Sequence, residues 1–173
     1  MTRIGLLSDT HDFIHPRLFS FFEKVDEIWH AGDFGSIAIA DTLTAFKPLR
    51  GVYGNIDGND IRMLYPLHQR FMCEETDVWI THIGGYPGRY ERHVIPDIFG
   101  SPPNLFISGH SHILKVIYDK KLNFLHINPG AAGYKGFHKV CTAVRFIIDG
   151  KDIRELEIWE MERSKTIPPE TFL

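Results

Sequence analysis

Cysteine is scarce in this sequence. Only Cys73 and Cys141 occur, far apart and in no CxxC pair. A disulfide framework and a thiolate zinc site are therefore not expected, and two free thiols fit a reducing compartment. Positive charge is also short: 19 Lys and Arg face 22 Asp and Glu, a formal net charge of −3. Binding to long nucleic acid relies on a basic excess, so no such partner is expected. No apolar run approaches the roughly 18 residues of a membrane-spanning helix. No basic segment followed by an apolar stretch reads as a leader, so a cytoplasmic protein with no membrane partner is expected. There is no repeat, no low-complexity tract and no linker.

What is present suits one domain. Hydrophobic residues make up 43% of 173 positions, enough for a substantial core. The domain is expected over residues 1–163, with the terminal "SKTIPPETFL" (164–173) as a loosely held tail. "RIGLLSD" (3–9), "DEIWHAGD" (26–33), "PLRGVYGN" (48–55), "DVWITHIG" (77–84) and "NLFISGHSH" (104–112) read as strands. Residues 15–25 and 36–46 read as helices, the first from Leu18, Phe21, Phe22 and Val25 at three-to-four spacing, the second with Ser36 as N-cap. The interval 61–76 is ambiguous, and 84–103 reads as a loop with a short helix. Further on, 114–130 reads as two strands around Asp119-Lys120-Lys121, and 142–159 as a hairpin turning at Asp149-Gly150. Strands alternating with helices imply a parallel α/β arrangement; the last third reads as antiparallel β.

The chemistry lies at the strand ends. In an open α/β sheet, ligands gather at the carboxyl ends of strands. Taken in order, those ends carry Asp9 and His11, then Asp33, Asn55, His82, and finally His110 and His112. Residues two apart on an extended chain point the same way, so each D-x-H or H-x-H pair is expected to face one site. Imidazoles, carboxylates and an amide oxygen suit first-row divalent metals. Seven ligands exceed the needs of one such ion and suit two, about 3.5–4 Å apart, with a shared carboxylate. Asp33, in the middle of the set, is the natural bridge. Alone, any of these residues would read as a hydrogen-bonded histidine or a turn former; as an ordered set they read as a metal centre.

"DTH" (9–11), "GD" (32–33), "GN" (54–55), "TH" (81–82) and "GHSH" (109–112) together resemble the signature of calcineurin-like metallophosphoesterases. With "INPGA" (127–131) and the short chain, the pattern is similar to the small bacterial and archaeal phosphodiesterase branch, over residues 3 to about 160. The resemblance implies an α/β fold, a four-layer α/β/β/α sandwich of two mixed sheets with helices outside. It implies Asp9, His11 and His112 as ligands of one metal, Asn55, His82 and His110 as ligands of another, and Asp33 between them. His30 is expected behind the site or in the core, and Asn128 near the site or shaping a turn. The implied activity is hydrolysis of a small phosphate ester, a diester before a monoester, by attack of a hydroxide held on a binuclear centre. Manganese is the first expectation, with nickel, iron, cobalt or zinc as alternatives.

Two departures stand out. Many relatives carry His after the GN pair; here Ile56 and Asp57 follow, so the general acid is open, with Asp57 as a candidate for that role or for orienting others. Relatives commonly carry "THGH"; here "THIGGYPGRY" (81–90) follows instead. Arg89 is a candidate phosphate clamp, since guanidinium matches phosphate oxygens bidentately. Tyr86 and Tyr90 are candidates to pack on a substrate's organic part or on the fold. The alternative function is a protein-binding scaffold of the same fold, like the eukaryotic retromer subunit, and a homo-oligomer is a further expectation.

Overall fold

The structure is a computed structural model that describes residues 1–163; the expected tail, 164–173, lies outside the described residues. In chain order the elements are β1 (Thr2–Leu7), α1 (Arg17–Phe21), β2 (Glu27–His30), α2 (Ile37–Phe46), β3 (Leu49–Gly51), α3 (Asn59–Leu64), β4 (His68–Cys73) and β5 (Thr76–Thr81). Then come β6 (Gly85–Tyr86), β7 (Arg89–Tyr90), α4 (Ile95–Gly100), β8 (Leu105–Ile107), β9 (Leu114–Asp119), β10 (Phe124–Pro129), β11 (Val140–Asp149) and β12 (Asp152–Glu162). Among the described residues, no helix is long and apolar enough to cross a membrane.

Two five-stranded sheets form, ordered β12-β11-β1-β2-β3 and β4-β5-β8-β10-β9. In the first, β1, β2 and β3 run parallel, and β11 and β12 add antiparallel. In the second, β5, β8 and β10 run parallel and the edges β4 and β9 are antiparallel. Both sheets are mixed. β10 thus departs from the expected antiparallel last third: it pairs antiparallel only with β9, and parallel with β8 on its other side.

Alternation along the strands makes the layers. Ile4, Leu6, Trp29, Val78, Ile80, Leu105, Ile107 and Ile127 point between the sheets and form the central core with Val144 and Phe146. Their neighbours Leu7 and Ile28 face outward onto Leu18, Phe22, Ile39 and Leu43 of the α1 and α2 region. On the far side, Trp79, Phe106 and Phe124 face outward onto Val94 and Ile98 around α4. This is the expected four-layer sandwich, with a thin outer layer over the second sheet. Gly5 permits the close approach on the first side, since a Cβ there would meet the Phe22 ring at 2.9 Å.

The elements are shorter than their sequence patterns. β1 stops at Leu7, β2 at His30, β3 at Gly51 and β8 at Ile107, two to five residues before the predicted ends. The chain leaves the sheet there to turn, and the chemistry-bearing residues sit in the turns. The helix predicted over 15–25 holds helical geometry only for Arg17–Phe21, after Pro16. The ambiguous interval splits into α3, ending at Leu64, and β4, starting at His68.

Candidate metal centre

Five loops meet where β1, β2, β3, β5 and β8 end. They bring two groups together: Asp9, His11 and His112, and Asp33, His82 and His110, each with ligand atoms within 4.8 Å of one another. In the first, His112 Nε2 lies 3.1 Å and His11 Nε2 3.9 Å from Asp9 Oδ1. In the second, His82 Nε2 lies 3.2 Å from Asp33 Oδ2 and 3.1 Å from the Asn55 side-chain oxygen. Asp33 Oδ2 is also 3.5 Å from His11 Nε2, so this one oxygen stands between the groups. His110 and His112 do not fall in one group: His112 joins Asp9 and His11, and His110 joins Asp33 and His82.

Nor do the pairs share a face by extended geometry. Asp9, His11, Asp33, His110 and His112 all have left-handed backbone, with φ of 55, 45, 59, 67 and 57°. Such conformations cost non-glycine residues on the order of 1–2 kcal/mol each and gather where function holds them. Backbone bonds lock them. The Asp9 N–H donates to the Gly32 carbonyl and the His11 N–H to the Asp33 carbonyl, tying the first loop to the second. The Gly109 N–H donates to the His82 carbonyl. Gly54 and Gly109 are required by close approach, since a Cβ on Gly54 would fall on the Asp33 carboxylate and one on Gly109 on the Ser8 hydroxyl.

The remaining polar atoms set the tautomers. His82 Nδ1 donates to the Ala31 carbonyl at 2.8 Å, which turns Nε2 toward Asp33 and Asn55. His138 Nε2 donates to the Gly133 carbonyl at 2.8 Å, so its Nδ1 accepts from His112 Nδ1 at 3.2 Å. That leaves His112 Nε2 bare toward Asp9. The result is a convergence of lone pairs. Asp9 Oδ1 and His11 Nε2 are buried without any hydrogen-bond partner, and His82 Nε2 faces two oxygens that only accept. A cation in each group resolves this, and the imidazole, carboxylate and amide donors suit a divalent transition metal. The residues present therefore fit the binuclear centre that the sequence resemblance implies.

The electrostatics of the two carboxylates agree. Burial alone would raise the Asp9 carboxyl, but His112, His82 and the Ser8 hydroxyl hold it below the usual range. Asp33 is likewise held low against burial by His82, the Ile56 N–H and His11. His82 is pulled down by burial yet ends above its ordinary value, through Asp33, Asp9 and the Ala31 carbonyl. Two buried carboxylates are thus kept anionic, as ligands must be. The hydroxyls nearby are committed: Ser8 donates to Asp9 Oδ2 at 2.6 Å and Thr10 to the Phe34 carbonyl at 2.9 Å.

Around this cluster the other candidates find places. His30 is fully buried behind it: Nε2 donates to Thr10 Oγ1 at 3.0 Å, Nδ1 accepts from the Gly32 N–H, and burial pushes its pKa down to about 3. Asn128 donates to the Gly109 carbonyl at 2.8 Å and accepts from the Gly130 N–H, so it shapes its own turn and holds the "GHSH" loop. The buried Asp57 accepts from the Gly35 and Gly54 N–H groups at 2.9 and 2.8 Å. Both its oxygens therefore brace the loops that carry Asp33 and Asn55. Tyr90 packs on Phe106 and Phe124 and donates to Asp119, as part of the fold. Arg89 and Tyr86 stand on the β6–β7 hairpin, across a cleft from His110.

Sequence reasoning missed His138, Ser8 and Arg62, whose guanidinium donates to the Asp57 and Asn55 carbonyls. Ser8, adjoining "DTH", was findable; His138 and Arg62 belong to no motif.

Comparison with known proteins agrees with this geometry. The archaeon Methanothermobacter thermautotrophicus has a probable metallophosphoesterase 30% identical over 135 residues, covering 74% of this chain and 76% of that one. The probable metallophosphoesterase of Methanocaldococcus jannaschii is 30% identical over 138 residues, 74% of this chain and 67% of that one. Among solved structures, Vps29 of Chaetomium thermophilum superposes with a TM-score of 0.72 at 14% identity, covering 98% of each chain. An archaeal phosphodiesterase superposes with 0.65 at 22% identity, covering 91% of this chain and 99% of the other; both likenesses concern the fold alone. Residues 2–151 match the calcineurin-like phosphoesterase superfamily domain, and the chain belongs to that superfamily.

Proposed function

We propose that this protein is a metal-dependent phosphoesterase that hydrolyses small phosphate esters, diesters before monoesters, at a centre of two divalent ions. One observation carries the reading: Asp33 Oδ2 stands between two His-carboxylate groups whose bare nitrogens converge on it. Asp9, His11 and His112 would hold one ion, and Asn55, His82 and His110 the other, with Asp33 shared. Two ions so held, manganese first, would supply an activated water and neutralise charge on the phosphoryl oxygens.

The chain's own residues do the rest. The Ala31 carbonyl and His138 fix which nitrogens His82 and His112 present; outer partners of this kind tune ligand basicity. Ser8 and the His110 N–H hold Asp9 Oδ2, leaving Oδ1 to face the cluster. With Ser8 and Thr10 committed elsewhere, water is the nucleophile and no covalent intermediate forms. Arg89 supplies a cation for the substrate's negative charge. Asp57 braces the loops rather than donating a proton. The setting is cytoplasmic, as the sequence composition suggests.

A second reading, a protein-binding scaffold, is favoured by Ile56, which replaces the histidine that many relatives carry after the GN pair. One experiment separates the two. Metal-stripped protein is assayed on bis-p-nitrophenyl phosphate and p-nitrophenyl phosphate with Mn, Ni, Co, Zn or Mg restored. Diester cleavage that exceeds monoester cleavage, needs metal and is lost in His110→Ala is the expected result. Metal binding without turnover on any substrate would favour the scaffold.

A further inference from the structure

Beyond His110 the site opens into a cleft of ≈ 220 Å³ whose far wall is the β6–β7 hairpin. The hairpin contributes Tyr86 and Arg89, the turn after β8 His110 and Ser111, β9 Lys115, and β10 His126. Its charge is unbalanced. Among the described residues, neither Arg89 nor Lys115 makes an ion pair, and Lys115 Nζ rests 3.7 Å from the centroid of the Tyr86 ring. Glu91 is the single acid on the wall. The Ser111 hydroxyl accepts from Asn128 Nδ2 and from the Ile113 N–H, so its own hydrogen remains to be donated.

His126 points most directly to a ligand. It is fully buried, yet neither ring nitrogen meets a hydrogen-bonding partner of normal geometry. Burial, assisted by the Lys115 charge, holds its pKa down at about 4 against an upward pull from the Phe106 backbone, so the ring is neutral and carries one N–H. A buried polar group left unpaired costs about 1–3 kcal/mol, and this one lines the cleft that begins at a ligand of the metal centre. Nothing in the folding of β10 calls for an imidazole there, because its outward neighbour Phe124 serves the same layer with an apolar ring.

We propose that this cleft is a subsite for a second phosphate group of the substrate, next to the phosphate that is cleaved; the proposal rests on the phosphoesterase reading. The donors are a guanidinium, an ammonium, a hydroxyl and an imidazole N–H. A phosphate group, with up to two negative charges and three free oxygens, uses that set fully. A carboxylate, with one charge and two oxygens, leaves donors unpaired. The substrate class is therefore phosphate diesters that carry a further phosphate on the same organic framework, as a 3′-phosphorylated nucleoside 5′-diester does.

Two readouts test this. In the first, inorganic phosphate is titrated into the metal-free protein while the imidazole resonances of His126 are followed by NMR. A saturable shift is expected, lost in Lys115→Ala and restored in Lys115→Arg, which keeps the charge. In the second, the metal-loaded protein is given thymidine 5′-(p-nitrophenyl phosphate) with and without a 3′-phosphate. KM is expected to be about tenfold lower for the 3′-phosphorylated diester, the scale of one charge-assisted hydrogen bond, and that ratio to collapse toward one in Lys115→Ala. A wild-type ratio near one, a ratio that survives Lys115→Ala, or no saturable shift at His126 would each overturn the subsite. If neither diester is cleaved with any metal while the phosphate shift persists, the phosphoesterase reading falls and the anion subsite stands.

Discussion

His138 stands behind His112, the two Nδ1 atoms 3.2 Å apart, and passes its own Nε2 proton to the Gly133 carbonyl. This chain fixes the tautomer of a metal-ligand candidate from outside the site. Substituting such partners typically costs 10–100-fold in metal affinity. His138→Leu should therefore weaken divalent-metal binding by about that factor, measured by competition with a chelating dye, with the far-ultraviolet circular dichroism preserved. Unaltered affinity would show that packing alone orients His112.

Asp33→Asn should reduce the bound metal from two ions to one per chain, counted by elemental analysis after gel filtration. The amide keeps an oxygen but loses the negative charge that two cations would share. Retention of two tightly held ions would remove Asp33 from its place as the bridge.

Asp57→Ala should act through stability. It leaves the buried Gly54 and the partly buried Gly35 N–H groups without their acceptor, at about 1–3 kcal/mol for a fully buried unsatisfied donor. Urea unfolding of the metal-free protein should report a loss on that scale. A variant of wild-type stability whose only defect is turnover would instead return Asp57 to the role of proton donor.

Acid should weaken the fold through His30 and His126, whose pKa values are pushed down to about 3 and about 4. Both are neutral when folded and titrate near 6.5 when unfolded. Their depressed values mean that the unfolded chain binds the extra protons first, so stability is lost as pH falls below 6.5 and levels off near the folded values. Between pH 7.5 and 4.5 each should cost about 2–3 kcal/mol. His126→Leu should show a shallower decline over that window, measured by urea unfolding at several pH values. A slope equal to wild type would mean that His126 is protonated in the folded protein.

The candidate metal ligands were legible because their residue types and spacing are chemical requirements, carried by the local sequence. The layers came from the family resemblance, and the structure realises them by alternation, as in Trp29 facing in and Ile28 facing out. Element ends were not legible. β1 and β8 stop at Leu7 and Ile107 because the following residues adopt left-handed backbone, a conformation imposed by contacts with other loops and unmarked by glycine at Asp9 or His110. The parallel pairing of β10 was hidden for a related reason: β8 and β9 both precede it closely in the chain, and a period of two is the same for either direction. Asp57 read as either an acid or a residue that orients others, and its partners, two backbone N–H groups from separate loops, leave no trace in sequence to decide between them. His138 lies ten residues past Asn128 with no spacing rule to connect it to His112.

Asp9, His11, Asp33 and Asn55 hang from one sheet, and His82, His110 and His112 from the other. A pair of ions held among them would work as a rivet through two plates. Between the plates the contact is otherwise apolar side-chain packing, which resists separation well and sliding less, with a few hydrogen bonds at the edges such as His82 Nδ1 to the Ala31 carbonyl and the His110 N–H to Asp9. Ion binding would therefore add shear stiffness at one edge of the sandwich, and the melting temperature should climb with free metal concentration by the usual mass-action relation. Seen this way, the same seven side chains that serve chemistry also set how firmly the two halves of the molecule stay in register.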